Sequence, residues 1–264
     1  MAIYYGVEPE HLLLAAHSVF HQTLQPSELI IVVDGVIDWK LEDIVIQISS
    51  IGEVRVLRLS ENVGPGAARH AGIQLANSEI VAIMDSDDIC VSSRFEKQYK
   101  KLTSGEIHIV GAWIREFSDV TADRSTLRVL PETHSALVHY AKRRSPMNNV
   151  TIMFYKNSYF TAGGYSSMRS FEDYDLFVRM ILSGSQFYNV QEVLVEVRGG
   201  SQMFSRRGGL RQIGLESSML FRFYKCGFYS LKDLLINLCL RTTMRLLPNF
   251  IRKGIYTTFL RKDA

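Results

Sequence analysis

Cysteine is scarce in this chain and scattered. Cys90, Cys226 and Cys239 are its three, and no CxxC pair occurs. That excludes a disulfide framework and argues against a zinc site, and it fits a reducing compartment. No stretch reaches the roughly 18 uninterrupted apolar residues of a membrane-crossing helix. Met1-Ala2-Ile3-Tyr4-Tyr5 has neither a basic region nor an apolar core of leader length, so no secretory leader is expected. The pattern GxxxxGKS/T is absent, which excludes a P-loop. Positive charge is thin over most of the chain. The first 197 residues carry 17 Lys and Arg against 24 Asp and Glu, whereas 13 against 3 stand from Arg198 onward. An acidic body and a basic tail offer surfaces for two kinds of partner, and no nucleic acid is expected among them. A length of 264 residues, 47% hydrophobic, allows one large domain, or a domain with an appendage, and an ample core.

What is present is concentrated between Asn62 and Asp88. Gly64-Pro65-Gly66 breaks the backbone into a turn. Ala67, Ala68, Ala71 and Leu75 then recur at helical spacing, and Asn77-Ser78 closes that helix. Ile80 to Met84 is a continuous apolar run, the pattern of a strand buried on both faces of a parallel sheet. It leads straight into Asp85-Ser86-Asp87-Asp88. Three carboxylates in four residues repel one another, and a bound cation is the simplest remedy. Oxygen ligands suit Mg2+ or Mn2+, which complete their shells with water and substrate phosphates. A solvated acidic turn is the plain alternative, since acidic clusters usually lie in water. Position favours a ligand site, because in open α/β sheets ligands gather outside the carboxyl ends of strands. The glycine turn half-matches a dinucleotide fingerprint. Arg69 stands where the third glycine is needed, and polar Ser60-Glu61-Asn62 precede the turn, so a Rossmann cofactor is not expected.

NVGPGAARHAG followed by MDSDD resembles the N-x-G-x-x-x-A-R-N-x-G and D-x-D-D signatures of family 2 glycosyltransferases, which have the GT-A fold. His70 stands where that family usually has Asn. The resemblance runs from Met1 to about Gly209, touches the RRGG of residues 206–209, and points to the bacterial capsule, exopolysaccharide and O-antigen transferases. It implies an α/β fold with a largely parallel sheet and helices on both faces. Family members usually have several more residues before the first strand, so either Ala2–Tyr5 is a short strand or the start is late. By the resemblance, Asp34 hydrogen-bonds the base of a nucleotide and Tyr4 stacks on it; an ordinary Asp-Gly turn with Gly35 is the alternative for Asp34. Asn62, Arg69 and Asp85 then belong to the donor site, and Asp85, Asp87 and Asp88 hold Mn2+ or Mg2+. Arg206 and Arg207 sit in a loop that family members close over the diphosphate, or else in a solvated basic loop. GGY-x(6)-EDYDL, from Gly163, matches the family's ED motif, which makes Asp173 the catalytic base and Glu172 its helper. Helix capping is the bland alternative there, and the positive end of a helix keeps a carboxylate ionised.

The remaining pattern predicts helices over Glu10–Phe20, Leu41–Ser49 and Arg94–Leu102, and another starting at Pro131. Strands are expected at Leu29–Val33, Val54–Leu59, Ile107–Ile114 with an interruption at Gly111, Asn148–Phe154 and Val190–Arg198, with a loop at Thr121–Arg128. Leu231–Leu247 and Phe250–Leu260 interleave apolar residues with Lys and Arg, as interfacial helices on an anionic membrane do. Packing against the catalytic domain or a second subunit would read the same. The expected division is therefore a GT-A domain over 1–209 and a basic helical tail over 210–264. A cytoplasmic protein, peripheral on the inner face of the membrane, follows from it.

The function implied is transfer of a sugar from a nucleotide diphosphate sugar, UDP-linked, to a hydroxyl of a saccharide or lipid-linked saccharide. It belongs to bacterial surface polysaccharide biosynthesis, and one base without a covalent nucleophile implies inversion. A sugar-nucleotide nucleotidyltransferase would want a glycine-rich, basic diphosphate loop near the start, which Tyr4–Glu10 is not. A non-catalytic subunit of a polysaccharide assembly complex is the third reading, and the intact acid clusters argue against it.

Overall fold

The computed structural model describes residues 1–117, 126–166, 168, 170–199, 210–246 and 262–263. The first half alternates strand and helix. Strand β1 is Ala2–Ile3, β2 Leu29–Asp34 and β3 Val54–Leu59, and all three pair in parallel in the order β1-β2-β3. Helix α1, Pro9–Phe20, has proline in its first turn and buries Leu12, Ala15, Ala16 and Val19, one stripe at helical spacing. Helix α2, Trp39–Ser49, is capped by Asp38, whose Oδ1 accepts from the Leu41 amide at 2.9 Å. Both pack on the face of β2 that carries Leu29, Ile31 and Val33. Helix α3, Pro65–Leu75, covers the opposite face. A Cβ at Gly72 would fall 2.9 Å from Val32 Cγ2, so glycine lets this helix lie directly on the strand.

The second half is a mixed sheet. Its strands are β4 Ile80–Ala82, β5 Ile89–Cys90, β6 Ile109–Phe117, β7 Thr126–Arg128, β8 Met153–Tyr155, β9 Phe187–Arg198 and β10 Lys262–Asp263. Only β6 and β9 pair in parallel; the other pairs are antiparallel. The expected α/β class with helices on both faces is what is found, and the parallel pairing is concentrated in the first sheet. Gly111 does not interrupt β6. It admits Asn189 and Met147, since a Cβ there would stand 2.3 Å from Asn189 Oδ1 and 2.7 Å from Met147 Cε. Thr126–Arg128, expected in a loop, is strand β7.

One strand departs from expectation. Ile80–Met84 was expected to be a parallel strand buried on both faces, but β4 is three half-buried residues running antiparallel to β8. No ladder joins the two sheets among the described residues. An apolar cavity of about 610 Å3 lies there, lined by Met1, Ile30, Val32, Ile80, Ala82 and Met84 among others. The Met1 amino group donates to the Ile30 carbonyl at 2.7 Å inside this gap. Burial pushes its pKa down to about 5 against a partial pull upward from Asp85, with Arg69 adding a downward push.

Helices α4 Arg94–Thr103, α5 His134–Ala141, α6 Lys156–Thr161 and α7 Glu172–Leu182 cover the second sheet. Helix α7 carries two cores. Leu176, Phe177 and Met180 face Phe154, Tyr159 and Phe187. Tyr174 and Val178 face Met219, Leu220 and Phe223 of α8, Leu210–Lys225, and Leu234 of α9, Leu231–Leu246. Buried Glu216 pairs with Arg241 at 2.5 Å and Arg245 at 2.9 Å. Part of the basic tail's charge is thus used internally, to hold α8 to α9. Leu231, Leu235, Leu240 and Leu246 remain exposed along α9. Among the described residues no helix is long and apolar enough to cross a membrane. The expected helix Phe250–Leu260 lies outside the described residues.

Candidate active site

The parallel register of β1 and β2 brings Tyr4 and Asp34 to the same carboxyl edge, since Ile3 pairs with Val33. Tyr4 is 41% exposed and meets Tyr5 edge-on. Asp34 is buried, and it organises the glycine turn. Its Oδ1 accepts from the Val63 amide at 2.7 Å and its Oδ2 from the Gly64 amide at 3.0 Å. Asn62 Nδ2 donates to the Asp34 carbonyl at 3.2 Å. Gly64 has φ +91°, a conformation that favours glycine, and α3 starts directly after it.

From α3, Arg69 reaches across the site. Its Nη2 donates to Asp85 Oδ1 at 2.7 Å, and its Nη1 lies 3.5 Å from Glu172 Oε1. Burial pulls the guanidinium's pKa down, and the charges of Asp85 and Glu172 more than reverse that, so it stays a cation. Gly66, one turn earlier, leaves room for Glu172; a Cβ would stand 3.1 Å from its Cγ. Burial, then the neighbouring Asp173 charge, raise the Glu172 carboxyl above its ordinary range.

The acid turn is uneven. Asp85 is partly open to solvent and bound to Arg69. Burial, then the Asp85 charge, raise Asp87. Asp88 is 3% exposed and accepts from the Arg198 amide at 2.9 Å through Oδ1. Burial and the charges of Asp85 and Asp87 push it up to about 8. Asp88 therefore fastens the turn to the end of β9 through Oδ1. Among the described residues no three His, Cys, Asp or Glu form a ready metal cage. Arg198 Nε also donates to the Asp87 carbonyl at 3.2 Å, and its guanidinium lies 4.8 Å from the Phe117 ring centre.

At the start of α7, Phe171 has φ +63°, the only positive φ of a non-glycine residue among those described. A left-handed Phe is unfavourable by about 1–2 kcal/mol. It sets the direction in which Glu172 and Asp173 leave the chain. Asp173 is half-buried, and its Oδ1 accepts from the Tyr174 amide at 2.7 Å. Asp175 is turned inward and pairs with Arg179 at 2.9 Å and Arg222 at 2.8 Å. His70 Nδ1 is 2.7 Å from Tyr159 Oη, which accepts from the Tyr165 amide at 2.9 Å. His70 thus braces the Gly163-Gly164-Tyr165 turn before α7. Arg206 and Arg207 lie outside the described residues. Sequence reasoning missed Arg198, Tyr159 and the partners of Asp175. The strand-end position of Arg198 was the one local signal available.

The family model for glycosyl transferase family 2 matches residues 3–169. The chain belongs to that family. It is 32% identical, over 99% of its length and 95% of the relative's, to the UDP-Gal:alpha-D-GlcNAc-diphosphoundecaprenol beta-1,3-galactosyltransferase of Escherichia coli. It is 30% identical, over 97% of its length and 96% of the relative's, to the amylovoran biosynthesis glycosyltransferase AmsE of Erwinia amylovora. Among solved structures, S. aureus TarS 1-349 in complex with UDP-GlcNAc superposes with a TM-score of 0.66 at 15% identity, covering 98% of this chain and 74% of that one. The mannosyltransferase PcManGT from Pyrobaculum calidifontis, in complex with GDP-Man and Mn2+, gives 0.63 at 11% identity over 96% and 77%. These two likenesses are of fold, and the fold is the GT-A glycosyltransferase fold. This protein is a family 2 glycosyltransferase, and its activity is glycosyl transfer.

Proposed function

We propose that this glycosyltransferase moves a sugar from a UDP-sugar to a hydroxyl of a lipid-linked saccharide, with inversion, in bacterial surface polysaccharide biosynthesis. The observation that carries the reading is the Arg69 bridge. One buried guanidinium ties the acid turn after β4 to Glu172 at the start of α7, so the two motifs share one site. Tyr4 and Asp34 mark the nucleotide end of that site, with Asn62 beside them, and the diphosphate would lie towards Asp85 and Asp87. Such a donor set, one or two carboxylates with the rest supplied by phosphate and water, suits Mn2+ or Mg2+. When bound, the metal would neutralise charge on the leaving diphosphate. Arg206 and Arg207 are assigned to the same diphosphate. The acceptor oxygen forms a bond to the anomeric carbon as the bond to the diphosphate oxygen breaks, and Asp173 takes the acceptor's proton. The bonding pair leaves with UDP, and a single displacement inverts the centre.

Calorimetry with UDP and Mn2+ tests the donor site. Wild type should bind UDP more tightly with Mn2+ than without. Asp87→Ala should lose that metal-dependent gain while remaining folded by circular dichroism. Undiminished metal-dependent affinity in the mutant would sink the assignment.

A lipid-linked acceptor requires access to a membrane surface. We assign that contact to the tail over 210–264, whose helices α8 and α9 pack on α7 of the catalytic unit 1–209, through the exposed leucines of α9 and the tail's basic residues. Each basic residue near an anionic surface contributes roughly 1 kcal/mol. Pelleting with liposomes rich in anionic lipid should therefore fall at high salt, and fall again in Leu231→Ser/Leu235→Ser. Pelleting indifferent to both would make α9 a packing or oligomer element.

A further inference from the structure

Arg94 opens α4 and is fully buried. Its guanidinium keeps its charge in proteins, and a buried charge without a counter-ion is strongly unfavourable. Among the described residues it has no carboxylate partner at ion-pair distance. Its donors go elsewhere. Nη2 donates to the Ile83 carbonyl at 2.7 Å, Nη1 to Cys90 Sγ at 3.1 Å and Met84 Sδ at 3.4 Å, and Nε to Gln98 Oε1 at 3.0 Å.

These partners share one feature. Ile83-Met84 is the chain entering the acid turn, and Cys90 is the strand leaving it. One side chain grips both ends of Asp85–Asp88. The grip is itself anchored: Gln98 Nε2 donates to the Val110 carbonyl at 3.1 Å and the Thr151 carbonyl at 2.7 Å, tying the guanidinium to the second sheet.

We propose that Arg94 is a positioning residue for the donor site. Its fork fixes the entry and exit of the acid turn before nucleotide arrives. The clamp stands on geometry; its consequence for donor affinity rests on the function proposed above.

Arg94→Lys keeps the charge and loses the fork. Hydrogen exchange reads the clamp. The amides of Ile83, Cys90 and Val91 are bonded to the Ile152 carbonyl, Ser18 Oγ and the Leu194 carbonyl. In Arg94→Lys they should exchange about tenfold faster or more, while β2 amides keep wild-type rates, because only the local opening changes. UDP affinity in the presence of Mn2+ should fall by about tenfold, the loss expected when a site is no longer preorganised. Unchanged exchange at these amides in folded Arg94→Lys would overturn the clamp. Faster exchange with unchanged UDP affinity would overturn the donor role and leave a purely structural contact. If wild type itself binds no UDP with Mn2+, the donor-site reading fails, and exchange still decides the clamp. Should Arg94→Lys not fold, wild-type rates decide. Ile83, Cys90 and Val91 should then be as protected as β2, and rapid exchange there would mean that nothing holds the turn.

Discussion

With Asp173 as the base proposed above, Asp173→Asn is expected to lower kcat by about 10²–10⁴-fold, the usual loss for removing a general base, with donor affinity unchanged. The base acts only when the acceptor oxygen attacks, so it contributes to the transition state and not to donor binding. Its surroundings make the substitution clean. Asp173 Oδ1 accepts from the Tyr174 amide at 2.7 Å, and an asparagine oxygen can do the same. Glu172→Gln should have a smaller effect on turnover and a larger one on donor affinity, because Glu172 faces Arg69 and through it Asp85. Single-turnover kinetics with acceptor, beside UDP calorimetry, separate the two. Near-normal turnover in Asp173→Asn would move the base to another residue.

Asp175→Asn should fail in a different way. The structure makes it the link between α7 and α8. It is 1% exposed and takes both Arg179 and Arg222. Removing one partner of a buried pair destabilises by about 3–5 kcal/mol. Arg222 is nearly half exposed, which screens its share, so about 2–4 kcal/mol is expected. For a chain of this size that lowers Tm by roughly 5–15 °C. Donor affinity of the folded fraction should be that of wild type. A scan showing unchanged Tm would mean that the two arginines find other partners.

Local pattern carried much of the fold. The apolar stripe of α1, the parallel strands β2 and β3, the positive-φ turn at Gly64 and the start of α7 all depend on neighbours a few residues apart, and they stand where periodicity and turn chemistry put them. The misreadings have a common cause. Ile80–Met84 is a good buried strand by composition, but strand length and pairing depend on which other strand lies beside it, and here that strand is β8, which runs antiparallel. Gly111 looked like a break because its reason for being glycine, Asn189 Oδ1, lies 78 positions away in the chain.

The site divides the same way. That Arg69, Asp85 and Glu172 belong together was legible: Asp85 follows an apolar run, Glu172 opens a helix, Arg69 follows a glycine turn, and the fold brings the three into contact. How each carboxylate is held was decided only in three dimensions. Arg69 joins Asp85 to Glu172, Asp88 turns inward to the Arg198 amide 110 residues on, and Asp175 is drawn to Arg222. A carboxylate's role depends on its burial and on the charges within a few ångströms of it, and both are set by chain segments that no local pattern relates.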